Sequence, residues 1–220
     1  MTDGFAPDKF PRGEEIAHAI THGLGALAAM AGLVLLIVRA AVYGNTWQLV
    51  GVTIFGATMV LLYSVSTLYH AFTNPRAKFV FQLLDHAAIY MLIAGTATPF
   101  ALAVLRGGWG WTFFGLSWGL AILGILYEVV WKRPWKRLSL AFYLAQGWLV
   151  VIVARPLLAA LPAPALLLLL AGGVAYSGGA VFYAWRHFPY HHAVWHVFVV
   201  AGTALHWVCV LRYVLPLGGL

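Results

Sequence analysis

Charge is the first thing this chain lacks. Only 9% of its 220 residues are Asp, Glu, Lys or Arg, against roughly 25% in an average soluble domain. Acidic residues number just 6. Hydrophobic residues make up 63% and mean hydropathy is +0.88. No soluble domain of this length hides so much apolar surface in one core, so the medium around most side chains is lipid. Cysteine is nearly absent too: Cys209 alone excludes an internal disulfide and leaves the redox compartment unread. Asp3, Asp8, Glu14 and Glu15 precede the first apolar run, which argues against a cleaved signal peptide and for a retained span. The net charge of +7 comes from 13 Lys and Arg that sit in short breaks between apolar runs. Without a continuous basic patch, no nucleic-acid partner is expected.

What is present is a series of long apolar runs. A membrane-crossing helix needs about 20 predominantly apolar residues, and seven segments qualify: about Ile16–Val42, Thr46–Phe72, Phe79–Leu105, Trp111–Trp131, Leu138–Leu158, Ala165–Trp185 and His192–Leu215. The joints are brief and carry Pro, Gly or basic residues. The expected fold is all-α and polytopic, a single seven-helix transmembrane domain over residues 1–220, with about 1–15 as an N-terminal segment. With a cytoplasmic N-terminus, nine Lys and Arg lie inside (Lys9, Arg12, Arg76, Lys78, Lys132, Arg133, Lys136, Arg137 and Arg186) and four outside (Arg39, Arg106, Arg155 and Arg212). The positive-inside rule therefore puts the N-terminus in the cytoplasm of a cell whose inner or plasma membrane holds the chain.

Ionisable and polar residues inside spans need a reason. Ser66 and His70 are four residues apart, as are His192 and His196, so each pair shares one helix face. Two histidines at this spacing can grip one metal ion. The end of the second span, the start of the third and the start of the seventh reach the same membrane face. His70, Asp85, His192 and His196 thus arrive at one depth, near the cytoplasmic surface. Three neutral imidazoles with an open fourth position suit Zn2+. Asp85 is then expected as outer carboxylate or general base, and Ser66 as a donor to an oxyanion or to Asp85.

Other histidines invite duller explanations. His206 lies ten residues past His196, about 15 Å along a helix, and cannot share that ion; a bond to a neighbouring span explains it better. His86 points about 100° away from Asp85 on their helix and needs a different partner. His187 and His191 flank Pro189 as interfacial loop residues. His18 and His22, with Glu15 ahead of them, form a rival metal pair, although helix-entry chemistry, with Glu14 and Glu15 favoured at a helix N-terminus, is the preferred reading. The ten Trp and ten Tyr are interface anchors and packing.

The strings Glu14-Glu15…Thr21-His22-Gly23, Ser66-Thr67-Leu68-Tyr69-His70, Asp85-His86-Ala87-Ala88-Ile89-Tyr90 and His192-Ala193-Val194-Trp195-His196 resemble the hemolysin III family. That family is grouped with the progestin and adiponectin receptors and, more distantly, the alkaline ceramidases. The resemblance covers nearly the whole chain. It implies a seven-helix fold opposite in topology to G-protein-coupled receptors, with zinc held by His70, His192 and His196 near the cytoplasmic face and with Asp85 and Ser66 beside it. It departs at His18, where relatives usually carry Asn. Three functions follow as expectations: a zinc-dependent hydrolase of a membrane lipid's amide or ester bond, a non-enzymatic zinc protein of lipid or membrane homeostasis, or a cytolytic protein. Membrane lipids and zinc are the expected partners.

Overall fold

The computed structural model describes residues 10–131, 135–185 and 187–215. Among the described residues, seven helices are long and apolar enough to cross a membrane: α1 (Arg12–Tyr43), α2 (Thr46–Ala71), α3 (Pro75–Leu105), α4 (Gly107–Val130), α5 (Lys136–Ala160), α6 (Ala163–Ala184) and α7 (His191–Val214). No strand occurs among the described residues. Of the charges counted for orientation, Lys9, Lys132, Arg133 and Arg186 lie outside the described residues.

The helix ends follow local chemistry. Asn45 caps α2 in a reciprocal box with Gln48. Asn74 accepts from the amides of Arg76 and Ala77 and puts Pro75 in the first turn of α3, where its missing N–H costs nothing. That start is four residues before the expected Phe79, because the Asn-Pro pair opens the helix instead of merely ending the loop. Likewise α1 begins at Arg12, not Ile16, which places Glu14 and Glu15 in its first turn.

Two spans are irregular. In α5 the α-helical stretch Lys136–Gly147 gives way to a 3-10 stretch, Trp148–Val153, before resuming at Ala154–Ala160. Pro156 has no N–H to donate and its ring crowds the carbonyl four residues back, so the tighter turns precede it. In α3, Pro99 is followed by a π-helical stretch, Phe100–Leu105, for the same missing donor.

Burial is arranged for lipid. Leu24, Leu123 and Leu167 are 64%, 62% and 65% exposed, a distribution that water would penalise. Glu14, His18, His22, Gln48, Ser66, His70, Asp85 and Glu128 are buried instead. Helix α1 packs on α2 and α7, α2 on α3, and α6 on α7. Small residues permit close approach: Gly25 faces the ring of Tyr63 and Gly56 faces Leu33. As a result the N-terminal ends of α1, α3 and α7 and the C-terminal end of α2 meet at one end of the bundle.

Candidate metal centre

At that end, one ligand atom from each of His70, His192 and His196 lies within 4.8 Å of the others. These are the three histidines expected from spacing, now from two helices packed on either side of α1. His70 and His196 are buried and His192 is half-buried.

Each ligand's orientation has a visible cause. His70 Nδ1 lies 2.7 Å from Glu15 Oε2. A carboxylate can only accept here, so Nδ1 carries the proton and Nε2 keeps its lone pair. That Nε2 is buried and has no hydrogen-bond partner among the described residues. Glu15 is itself held by Lys78, whose Nζ lies 2.7 Å from Oε1. His196 Nδ1 lies 3.1 Å from Thr21 Oγ1. The Thr21 hydroxyl donates to the carbonyls of Ala17 and His18, 2.9 Å away, so it accepts from Nδ1–H and leaves His196 Nε2 as the donor atom for a ligand. A carboxylate or hydroxyl on the far nitrogen is the usual support of a metal-bound imidazole. The donor chemistry and the orphaned Nε2 of His70 therefore fit a borderline cation such as zinc.

Ser66 makes a 2.7 Å hydrogen bond with His22 Nδ1, and Asp85 approaches the same hydroxyl. Asp85, Ser66, His22, His192 and His196 line one cavity of about 400 Å³. Asp85 does not join the converging donor set, and Ser66 reaches it through His22, which stacks on His196.

Other histidines sort differently from the sequence reading. The rings of His18 and His22 belong to the cluster: His18 lies 4.6 Å from His70 and His22 stacks on His196 at 3.5 Å. Helix entry accounts for Glu14, not for these two. His191 is not an interfacial loop residue; it is the buried first residue of α7, with Nδ1 3.2 Å from the Phe182 carbonyl. His187 is exposed, as expected. His206 Nε2 donates to the Leu169 carbonyl of α6 at 3.0 Å, far from the donor set. His86 has its separate partner: Nδ1 lies 3.4 Å from Glu128 Oε2.

Sequence reasoning misses four contributors. Lys78, an orienting charge by its place in the chain, holds Glu15. Thr21 fixes the His196 tautomer. Phe10 lays its ring beside those of His18 and His192, at 4.8 and 5.1 Å, covering the cluster on the side of the N-terminal segment. Glu128, 1% exposed, accepts from Ser139 as well as facing His86. A lone Glu in an otherwise apolar run is the available signal for the last; nothing local marks the other three.

Residues 10–207 match the haemolysin-III related family. The chain is 46% identical to "Hemolysin-3" of Bacillus cereus over 203 residues, 92% of this chain and 93% of that protein. It is 47% identical to the "Hemolysin-3 homolog" of Bacillus subtilis (strain 168) over 200 residues, 91% and 94% of the two. Likeness extends to the human "Monocyte to macrophage differentiation factor", 26% identical over 210 residues, 91% of this chain and 84% of that one. With the family match covering all but the ends of the sequence and two relatives 46% and 47% identical over most of its length, the chain belongs to the haemolysin-III family.

Proposed function

We propose that this protein is a zinc-dependent hydrolase of an amide or ester bond in a membrane lipid, working near the cytoplasmic face. The observation that carries the reading is the junction of two unlike environments. His22, His192 and His196 line one end of a cavity whose remaining wall is predominantly apolar and which follows α7 from His196 to His206, about 15 Å at 1.5 Å per residue. Val151 and Leu158 of α5 also line it and are 62% and 64% exposed on the bundle's outer surface. An acyl chain thus has a lateral route from the bilayer to the polar end.

His70, His192 and His196 would hold the ion. A zinc ion there supplies Lewis acidity, polarising a carbonyl and making water acidic enough to act near neutral pH. The chain's own groups do the rest. Glu15 and Thr21 keep the proton on Nδ1 of His70 and His196, so that Nε2 stays free to bind. Asp85, buried and lining the cavity, would take a proton from water and return it to the leaving group. Ser66 orients Asp85 and shares its hydroxyl with His22. Phe10 excludes bulk water from the end nearest the N-terminal segment.

Purified protein loaded with zinc should release fatty acid from a mixed panel of ceramides and phospholipids, measured by mass spectrometry. His70→Ala and chelator-treated protein should be inactive. Turnover retained by His70→Ala would overturn the assignment. The main competing reading, a non-enzymatic zinc protein of membrane homeostasis, is favoured by His18, which packs where it can close the site. A lytic function would appear as dye release from sealed liposomes. The histidine cluster sits at one end of the bundle and the wall of the cavity beyond it is predominantly apolar, so none is expected.

A further inference from the structure

Neither the proposed reaction nor the helix-entry reading uses His18. Its side chain is 0% exposed, and neither ring nitrogen has a hydrogen-bond partner among the described residues. Its neighbour on one side is the apolar ring of Phe10, met edge-on. A buried imidazole with both nitrogens unpaired is costly, and such a group calls for a partner.

The rings around it supply the clue. His18 lies 4.6 Å from His70, 4.8 Å from His192 and 5.5 Å from His196, centroid to centroid. Those three are mutually 5.4, 5.2 and 4.6 Å apart. The six separations outline a near-regular tetrahedron. Four imidazoles bound to one tetrahedral ion through nitrogens about 2.0 Å away would have centroids about 5 Å apart. The remaining nearby histidines fail this test. His22 is stacked flat on His196 at 3.5 Å, with Nδ1 engaged by Ser66. His191 bonds the Phe182 carbonyl and is 6.3 Å from His192.

We propose that His18 is a fourth imidazole ligand, which closes the shell around the ion held by His70, His192 and His196. The proposal rests on the three-histidine site of the proposed function but not on hydrolysis. With His18 bound the shell is full, so the ion is shielded until His18 withdraws; this residue sets whether the centre is closed or open.

A rival arrangement competes for the same ring, because ligand atoms of Glu15, His18 and His70 also lie within 4.8 Å of one another. A separate cation there would need Glu15 oxygens that His70 and Lys78 already occupy, each at 2.7 Å. It would also sit beside the Lys78 ammonium, whose charge repels it. One ion with four imidazoles meets neither objection; the nitrogens of His18 fall outside the 4.8 Å donor set of His70, His192 and His196, so its ring must turn to complete the shell.

Zinc-edge X-ray absorption on the full-length protein, loaded with zinc and freed of excess, counts the imidazoles directly. The wild type should fit four imidazoles and one zinc per chain. His18→Asn should fit three imidazoles and one oxygen, and should lose zinc to a chelator at least about tenfold faster, the lower bound for losing even an outer support. Three imidazoles and an oxygen in the wild type would overturn the proposal while leaving the three-histidine site intact. Two zinc ions per chain would overturn it in favour of the Glu15 arrangement. A wild type that binds no zinc would remove both the proposal and the site beneath it. Should His18→Asn not fold, the wild-type spectrum alone decides.

Discussion

At the residue scale, the centre depends as much on the groups behind the histidines as on the histidines. Glu15 is the clearest case. Its carboxylate fixes the protonated nitrogen of His70 and is in turn held by Lys78. Replacing it with an isosteric amide removes the charge and leaves the packing. Glu15→Gln is therefore expected to weaken zinc about 10–100-fold, read by competition with a fluorescent chelator, while His70→Ala and His192→Ala lose the metal outright by mass spectrometry. Phe10 has a different task. Its ring touches His18 and His192 without offering a donor. Phe10→Ala should leave zinc stoichiometry unchanged and speed its removal by a water-soluble chelator; equal rates would mean that Phe10 is not the barrier. Of these residues, spacing made the histidines legible, since i and i+4 positions share a face whatever the fold. Lys78 and Thr21 were not legible, because their partners are 63 and 175 positions away in the chain.

At the element scale, glycines decide how close the helices come, and the same substitution has opposite signs at different places. A Cβ on Gly172 of α6 would lie 2.3 Å from His206 Nε2 of α7, the atom bonded to the Leu169 carbonyl. Gly172→Ala must push the helices apart or break that bond, at a cost of about 1–3 kcal/mol. Among the described residues, a methyl group added at Gly115 on α4 would meet nothing within 4 Å. Gly115→Ala should stabilise by about 0.5–1 kcal/mol through lost unfolded-chain freedom. Thermal unfolding in detergent reads both, and two shifts of the same sign would contradict the packing described. The positions of the seven helices were legible from hydropathy alone. The π stretch after Pro99 and the 3-10 stretch before Pro156 were not: each proline announces a missing donor, but neighbouring helices choose how the backbone rearranges around it.

At the scale of the whole molecule, the bound ion ties α2 to α7 across α1, so it should stabilise the bundle. An ion at a hundred times its Kd adds about 2.7 kcal/mol. For a chain of this size, chelation should then lower the Tm by about 5–10 °C. The His70→Ala variant should show no chelator effect. Orientation is testable on the same bundle. Cys209 is 0% exposed, so the native chain is a silent background for thiol labelling. Thr73→Cys, in the α2–α3 turn at the metal end, should react with an impermeant maleimide only after cells are opened. Gly108→Cys, at the other end, should react from outside. The reverse pattern would put the centre outside the cell and overturn the cytoplasmic N-terminus.

Composition and periodicity by themselves determined that this is a seven-span helical membrane protein with histidines gathered at one depth. Both properties are local: a run of apolar residues is stable only in lipid, and helical spacing plus alternating direction fixes the depth of every side chain. Rotation of each helix about its axis is not local, and that angle is what tertiary packing decided. It turned His18 and His22 into the cluster instead of toward the helix entry, and buried His191 against α6. It brought Lys78 and Thr21 behind the ligands, and paired His86 with Glu128. A sequence states how far along the membrane normal a residue sits; only the contacts between helices state which neighbour it faces.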